Sequence, residues 1–164
     1  MLQVGLCDDE PVLLDTLEEK VRRCFSENLI FAEIQAFTGG QNLLYEAEDG
    51  KRFDLLLLDI EMPGMNGIYV GNELKKKNTN IIIFIVTSYS EYLDEAMRFQ
   101  VFRYLSKPLD KQRFFRNMKD AVDLYHTITI KIPVETKQGV YTIPVSTIIA
   151  VEAQGRKVIV HTTM

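Results

Sequence analysis

Short apolar runs alternate with helical patterns five times over the first 125 residues of the chain. The central run, Leu55 to Leu58, is apolar without interruption, as expected of a strand that helices cover on both faces. This alternation is typical of a parallel α/β sheet whose strands are joined by right-handed crossovers. It predicts a five-stranded, doubly wound parallel sheet of the flavodoxin-like kind, with any ligand site at the carboxyl ends of the strands.

The spacing of the apolar residues gives approximate bounds for these elements. The predicted strands are Leu2 to Cys7, Leu29 to Phe37, Leu55 to Leu58, Ile81 to Val86 and Val101 to Leu105, and the predicted helices are Asp15 to Phe25, Gly40 to Glu48, Gly67 to Lys77, Glu91 to Phe99 and Asp110 to Tyr125. We expect Met97, Phe99, Val101 and Phe102 to lie in the core rather than at an interface.

The pattern of apolar residues changes after Tyr125, where helical periodicity is replaced by short β-rich segments separated by Gly139, Pro144 and Gly155. The predicted strands here are Thr127 to Ile132, Val140 to Pro144, Ile148 to Glu152 and Lys157 to Thr162. We therefore divide the chain into residues 1–125 and residues 126–164, and expect the second part to be only the beginning of an all-β domain.

Composition favours an ordinary globular protein, because 46% of the residues are hydrophobic and 26% are charged. The apolar runs are far shorter than the roughly 20 residues of a membrane helix. The N-terminus has no secretory pattern, so we expect a cytoplasmic protein. Cys7 and Cys24 match no disulfide framework or metal pattern and are expected to be buried in the core.

Polar residues close the predicted strands. Asp8 and Asp9 follow the first strand, Asp59 the third, Thr87 the fourth, and Lys107 comes shortly after the fifth. Since the carboxyl ends of parallel strands share one edge of the sheet, these side chains are expected to converge. Mg²⁺ prefers such hard oxygen ligands and is commonly held by one or two carboxylates and a phosphate oxygen. The alternative is that the acids at the first strand merely cap the following helix.

A carboxylate beside Mg²⁺ can also attack phosphorus and form an acyl phosphate. Asp59 is the best candidate because it follows the most buried strand. Lys107 and the metal would neutralise charge on the transferred group, and Thr87 could hydrogen-bond a phosphate oxygen.

At these residues the chain resembles the receiver domain of two-component response regulators. The matching segments are Asp8-Asp9-Glu10-Pro11, Leu58-Asp59-Ile60-Glu61-Met62-Pro63-Gly64-Met65-Asn66-Gly67, Thr87-Ser88 and Lys107-Pro108, and the match covers about 123 residues. The resemblance implies a phosphorelay protein that is not an enzyme in its own right and that receives phosphate on Asp59 from a sensor histidine kinase.

The same resemblance implies the roles of the other residues. Asp8, Asp9, Asp59 and the main-chain carbonyl of Glu61 would bind Mg²⁺. Lys107 would contact the phosphoryl group, and the Lys107–Pro108 bond can be cis. Glu61 and Tyr89 occupy positions that influence how long the phosphate survives.

The resemblance also implies a switch. Phosphate would draw Thr87 inward and let Tyr104 rotate into the vacated space, which would remodel the face formed by the fourth helix, the fifth strand and the fifth helix. Phosphorylation could drive homodimerisation through that face. From the residues alone, an ordinary half-buried strand aromatic is an equal alternative for Tyr104.

The tail resembles the start of a LytTR-type DNA-binding domain, an all-β module of transcription regulators. The residues that carry this resemblance are Ile128 to Ile132, Gly139 to Pro144, Ile148 to Glu152 and Arg156 to Thr162. It implies DNA as the partner of the full-length protein, with much of the DNA-contacting surface beyond Met164. Lys131, Lys137, Arg156 and Lys157 outnumber Glu135 and Glu152 here, although a solvated face explains this mild excess of positive charge equally well.

Three other classes of protein share part of the pattern. A flavodoxin-like FMN protein needs a phosphate-cradling loop where this chain has Asp8-Asp9-Glu10. A phosphoaspartyl hydrolase of the haloacid-dehalogenase type uses a second Asp two residues after its nucleophile, where this chain has Glu61. A stand-alone receiver that signals only by protein contact would not need the β-rich tail.

Overall fold

The computed structural model describes residues 1–163 and divides the chain into two compact units, Met1–Ala121 and a second unit that begins at Val122. Within the described residues, the first unit contains five strands and the second contains four. The strands of the first unit are β1 (Leu2–Cys7), β2 (Ala32–Phe37), β3 (Leu55–Leu58), β4 (Ile82–Thr87) and β5 (Arg103–Ser106). The helices are α1 (Pro11–Glu27), α2 (Gly40–Glu48), α3 (Gly67–Lys77), α4 (Leu93–Arg98) and α5 (Lys111–Thr129).

The five strands form one parallel sheet in the order β2-β1-β3-β4-β5. The predicted fold class is therefore confirmed. Because successive strand residues point to opposite faces, the fully buried β3 must contribute to two layers of core. Leu56 and Leu58 pack with Leu43 of α2 and Val70 of α3 on one face. Phe114 of α5 is likewise fully buried in this unit.

The register of the sheet positions the candidate site residues. Cys7 pairs with Leu58 and Leu58 with Ile85, so β1, β3 and β4 end at the same edge. Asp8 and Asp59 are the first residues beyond two of these strands. The predicted convergence at the carboxyl edge follows directly from this alignment.

Helices α1 and α4, like the end of α5, differ from the prediction in their bounds. Helix α1 starts at Pro11, four residues earlier than predicted, because proline is well suited to the first helical position, where its missing N–H is not needed. Helix α4 is only six residues long and buries Ala96 alone. Met97 is consequently 54% exposed, so its predicted place in the core is wrong, whereas Phe99 and Val101 are buried as expected.

The second unit contains two antiparallel hairpins. They pair β6 (Lys131–Thr136) with β7 (Gly139–Pro144) and β8 (Ile148–Gln154) with β9 (Lys157–Thr162), and a short 3₁₀ helix, Val145–Thr147, joins them. Gly139 and Gly155 adopt positive φ angles of 141° and 64° at the hairpin turns, as their predicted role as turn residues requires.

The first predicted strand of the tail, Thr127 to Ile132, is wrong in its first half. Helix α5 continues to Thr129, and β6 runs from Lys131 through Pro133 to Thr136. The hydroxyls of Thr127 and Thr129 donate hydrogen bonds to the carbonyls of Asp123 and Tyr125 one turn earlier. These local bonds satisfy the two hydroxyls within the helix, and the β-branched side chains explain why the pattern predicted a strand. The boundary between residues 125 and 126 remains a prediction.

Both cysteines are buried in the core as predicted. Among residues 1–163, no helix combines the length and the apolar character needed to cross a bilayer.

Candidate functional site

Three carboxylates meet at the carboxyl edge of the sheet. Oxygen atoms of Asp8, Asp9 and Asp59 all lie within 4.8 Å of one another. Asp8 is 2% exposed and Asp59 is 6% exposed, whereas Asp9 is partly exposed. Three hard oxygen donors this close together suit a divalent cation such as Mg²⁺, which would offset their repulsion.

Lys107 bridges two members of this cluster. Its Nζ donates to Asp8 Oδ2 at 2.6 Å and to Asp59 Oδ2 at 2.7 Å. Burial alone would lower the pKa of Lys107, but the hydrogen bonds and charges of Asp59 and Asp8 outweigh it and raise the pKa. The ammonium group therefore stays charged at neutral pH. The Lys107–Pro108 peptide bond is cis, which the resemblance allowed.

Main-chain amides hold the other oxygen of each buried carboxylate. Asp59 Oδ1 accepts a hydrogen bond of 2.7 Å from the N–H of Ile60, and Asp8 Oδ1 accepts one of 3.0 Å from the N–H of Glu10. The latter bond reaches the main chain of Glu10, the residue that precedes α1, and the first turn of α1 has no side-chain cap, so the capping alternative is not supported. The second oxygen of Asp8 faces Lys107.

Thr87 and Tyr104 lie on neighbouring strands, Thr87 at the end of β4 and Tyr104 within β5. Thr87 is completely buried, and its hydroxyl oxygen accepts a long hydrogen bond of 3.5 Å from the N–H of Tyr89. Tyr104 is half-buried, and its hydroxyl donates to the main-chain carbonyl of Tyr89. Burial, with the charges of Glu91 and Asp59, raises the pKa of Tyr104 and keeps it a donor. The main chain of Tyr89 is thus hydrogen-bonded to both residues of the expected switch, through its N–H to Thr87 and through its carbonyl to Tyr104.

The side chain of Glu61 is exposed and lies outside the carboxylate cluster. Its Oε1 accepts a hydrogen bond of 2.5 Å from the hydroxyl of Tyr92, the residue before α4. The expected role of Glu61 in metal binding concerns its main-chain carbonyl and remains a prediction. Tyr92 was not foreseen, because no sequence pattern pairs two residues that are 31 positions apart.

Gly67 is a second residue whose importance the sequence did not make explicit. A side chain there would collide with the carbonyl oxygen of Asp59 and lie 3.0 Å from Ile60 Cα. The N–H of Gly67 donates to the carbonyl of Ile60 at 2.8 Å. The first residue of α3 therefore packs directly under the loop that carries Asp59. The signal was present in the Asp59 to Gly67 motif, but only as a resemblance.

Known proteins share both the sequence pattern and the fold. The model of the response regulator receiver domain family matches residues 4–119. The chain is 29% identical over 167 residues to the transcriptional regulatory protein NatR of Bacillus subtilis, spanning 99% of this chain and 69% of NatR. It is 31% identical over 139 residues to the sensory transduction protein LytT of the same organism, spanning 85% of this chain and 54% of LytT.

Among solved structures, the response regulator protein TrrA from Thermotoga maritima superposes with a TM-score of 0.63 and 28% identity. The match covers 74% of this chain and 99% of TrrA, whose structure was determined in complex with Mg²⁺ and BeF. A family match over most of the chain, together with the same fold, supports one conclusion. The chain belongs to the response regulator receiver domain family and contains the receiver domain of a two-component response regulator.

Proposed function

We propose that Asp59 accepts a phosphoryl group from a phosphohistidine of a sensor histidine kinase. An oxygen of Asp59 attacks phosphorus, the bond from phosphorus to the donor nitrogen breaks, and an acyl phosphate forms on Asp59. The observation that carries this proposal is the placement of Asp59. It follows the buried central strand, is nearly inaccessible, and lies beside two further carboxylates and a charged lysine.

The residues around Asp59 have separate roles in this transfer. The hydrogen bond from Ile60 N–H orients the carboxylate and leaves Oδ2 facing Lys107. The Lys107 ammonium offsets the negative charge that the phosphoryl oxygens add to the carboxylate cluster. The Thr87 hydroxyl donates to a phosphoryl oxygen once the group is attached. This last step requires Thr87 to exchange its long contact with Tyr89 for a stronger bond.

Asp8, Asp9, Asp59 and the main-chain carbonyl of Glu61 are the proposed ligands of Mg²⁺. When bound, the ion supplies positive charge that permits a phosphoryl group to approach three carboxylates. The cluster contains only hard oxygen donors, which supports Mg²⁺ over metals that prefer nitrogen or sulfur.

We further propose that the phosphorylated receiver controls a DNA-binding output. The LytTR resemblance of residues 126–164 supports this output, and so do the names of the relatives, a transcriptional regulatory protein and a sensory transduction protein. The chain spans 69% of NatR and 54% of LytT, and we propose the DNA-binding output for the full-length protein. In this account the protein works in the cytoplasm and is a signalling component rather than an enzyme.

The proposed switch connects Asp59 to the face of α4, β5 and α5. When Thr87 turns towards the phosphoryl group, Tyr104 gives up its bond to Tyr89 and rotates inward. The altered face would then form a homodimer. Sedimentation of the full-length protein with and without a phosphoryl mimic tests this step; an unchanged mass would count against it.

Intact-mass spectrometry after incubation with acetyl phosphate and Mg²⁺ tests the central proposal. We expect the native chain to gain one phosphoryl group, and Asp59→Asn to gain none. Asp49→Asn is a matched control, because Asp49 is an exposed carboxylate at the end of α2. Chelation of Mg²⁺ should abolish the gain. A folded native chain that gains no mass would contradict the proposal.

A further inference from the structure

The Tyr92–Glu61 hydrogen bond joins two segments that are far apart in sequence. Glu61 lies two residues after Asp59, in the loop that follows β3, and Tyr92 immediately precedes α4. The bond has an oxygen–oxygen distance of 2.5 Å. It therefore fixes the carboxylate of the acceptor loop to the entrance of the neighbouring helix.

Tyr92 is itself well held. Its ring is partly buried against the core cluster on this side of the sheet and makes an edge contact with Tyr89, with ring centroids 6.4 Å apart. Its main-chain carbonyl accepts a hydrogen bond of 3.0 Å from Ala96 in the first turn of α4. A side chain fixed in this way can impose an orientation on its partner at little further cost in entropy.

The main chain of the acceptor loop is fixed independently of this contact. The N–H of Met62 donates to the carbonyl of Ile60 at 3.1 Å, and the N–H of Gly67 donates to the same carbonyl at 2.8 Å. Loss of the Tyr92 bond would therefore free the Glu61 side chain without releasing the loop. A free carboxylate beside the acceptor can accept a hydrogen bond from water and hold that water near phosphorus.

We propose that Tyr92 is a positioning residue that holds the Glu61 carboxylate away from the acceptor and so lengthens the life of the phosphoryl group on Asp59. This inference rests on the proposed phosphorylation of Asp59. The reaction that it slows is hydrolysis. A water oxygen forms a bond to phosphorus, the bond from phosphorus to the Asp59 oxygen breaks, and the products are the Asp59 carboxylate and inorganic phosphate, which carries the protons of the water.

The test compares the loss of the phosphoryl mass with time after removal of acetyl phosphate. Tyr92→Phe keeps the ring and deletes the donor, and we expect loss about threefold faster or more, the scale of one hydrogen bond. Tyr45→Phe, on the exposed side of α2, is the matched control and should decay like the native chain. Glu61→Asp leaves Tyr92 intact but shortens the side chain that carries the carboxylate, so the hydrogen bond to Tyr92 is lost and the phosphoryl group should again be lost faster. This variant replaces Tyr92→Phe in the test if Tyr92→Phe folds poorly.

A second comparison separates positioning from a general structural effect. In a Glu61→Gln background the Tyr92→Phe change should alter the decay little, because no carboxylate remains to be released. Equal decay of the native and Tyr92→Phe chains, or an acceleration that persists in the Glu61→Gln background, would overturn the inference. A failure of the native chain to take up phosphate would instead contradict the proposed function, so the two failures are distinguishable.

Discussion

At the scale of single residues, the carboxylate cluster of Asp8, Asp9 and Asp59 places like charges close together. Three carboxylates lie together, and among residues 1–163 the ammonium of Lys107 forms ion pairs with two of them, Asp8 and Asp59. Close carboxylates destabilise one another, and the effect grows as water is excluded. The cluster therefore retains a net negative charge that favours the binding of a cation.

The buried thiol of Cys7 gives a pH prediction. Burial, followed by the charges of Asp8, Asp59 and Asp9, raises the pKa of Cys7 from 9.0 to about 12. The folded state favours the protonated thiol, so the stabilisation is complete below pH 9.0 and is lost as the pH rises towards 12. We expect the free energy of unfolding, measured in urea, to fall from about pH 9 upward.

Cys7→Ala provides the control for this prediction. Burial raises the pKa of Cys24 to about 11, and the pKa of Lys107 is also raised, so some decrease above pH 9 should remain in the variant. Its slope between pH 9 and 10.5 should nevertheless be shallower than in the native chain. Identical slopes would show that the thiol does not contribute.

Gly67 gives a stability prediction. Its Cα lies so close to the Asp59 carbonyl that a methyl group cannot fit without moving the main chain of the acceptor loop. We expect Gly67→Ala to lower the free energy of unfolding by about 2–3 kcal/mol, measured by urea denaturation. Gly39→Ala is the comparison, because its added carbon has no neighbour within 4 Å, and its cost should stay within about 1 kcal/mol. Equal costs would mean that the close approach is unimportant.

At the scale of secondary structure, burial decided how well each element could be predicted. β3 matches its predicted bounds, Leu55 to Leu58, because a continuous apolar run followed by Asp59 leaves little ambiguity. α4 and the end of α5 were harder to predict. α4 buries only Ala96, so Met97 gave a misleading apolar signal. Thr127 and Thr129 have high intrinsic strand preference, so the residue types alone gave no sign that α5 continues through them.

The proposed switch gives a prediction for the loop between β4 and α4 and for α4 itself. Tyr89 contacts Thr87 through its N–H and Tyr104 through its carbonyl, so a movement of Thr87 should disturb both bonds. We expect Mg²⁺ with beryllofluoride to change hydrogen–deuterium exchange over residues 88–98. Thr87→Ala lacks the hydroxyl and should give a smaller change although it still binds the mimic. A full-sized change in Thr87→Ala would contradict the switch.

At the scale of the whole molecule, the candidate site lies entirely within the first compact unit. In the second unit several apolar strand residues, including Val140, Ile149 and Val158, are exposed. We therefore expect a fragment of residues 1–129, which keeps all of α5, to melt within about 3 °C of the full chain and to be phosphorylated equally. Residues 1–110 lack the buried Phe114 and Met118 and should not fold. Failure of the longer fragment to fold or to be phosphorylated would contradict the independence of the first unit.

The candidate site could be predicted to the extent that the sheet determines it. Strand order and the positions of the strand ends bring Asp8, Asp59, Thr87 and Lys107 to one edge, and the sequence contains both kinds of information. The contact from Tyr92 to Glu61 depends instead on how a six-residue helix and two loops pack. No periodicity or motif encodes such a contact.

The most direct test of the account is to identify the phosphorylated residue. Borohydride reduces an aspartyl phosphate to homoserine, and peptide mass spectrometry then locates the modified position. After incubation with acetyl phosphate and Mg²⁺, the account predicts homoserine at residue 59 and at no other carboxylate of the crevice. Homoserine at Asp8 or Asp9, or its absence from a chain that has gained a phosphoryl group, would contradict the assignment of Asp59 as the acceptor.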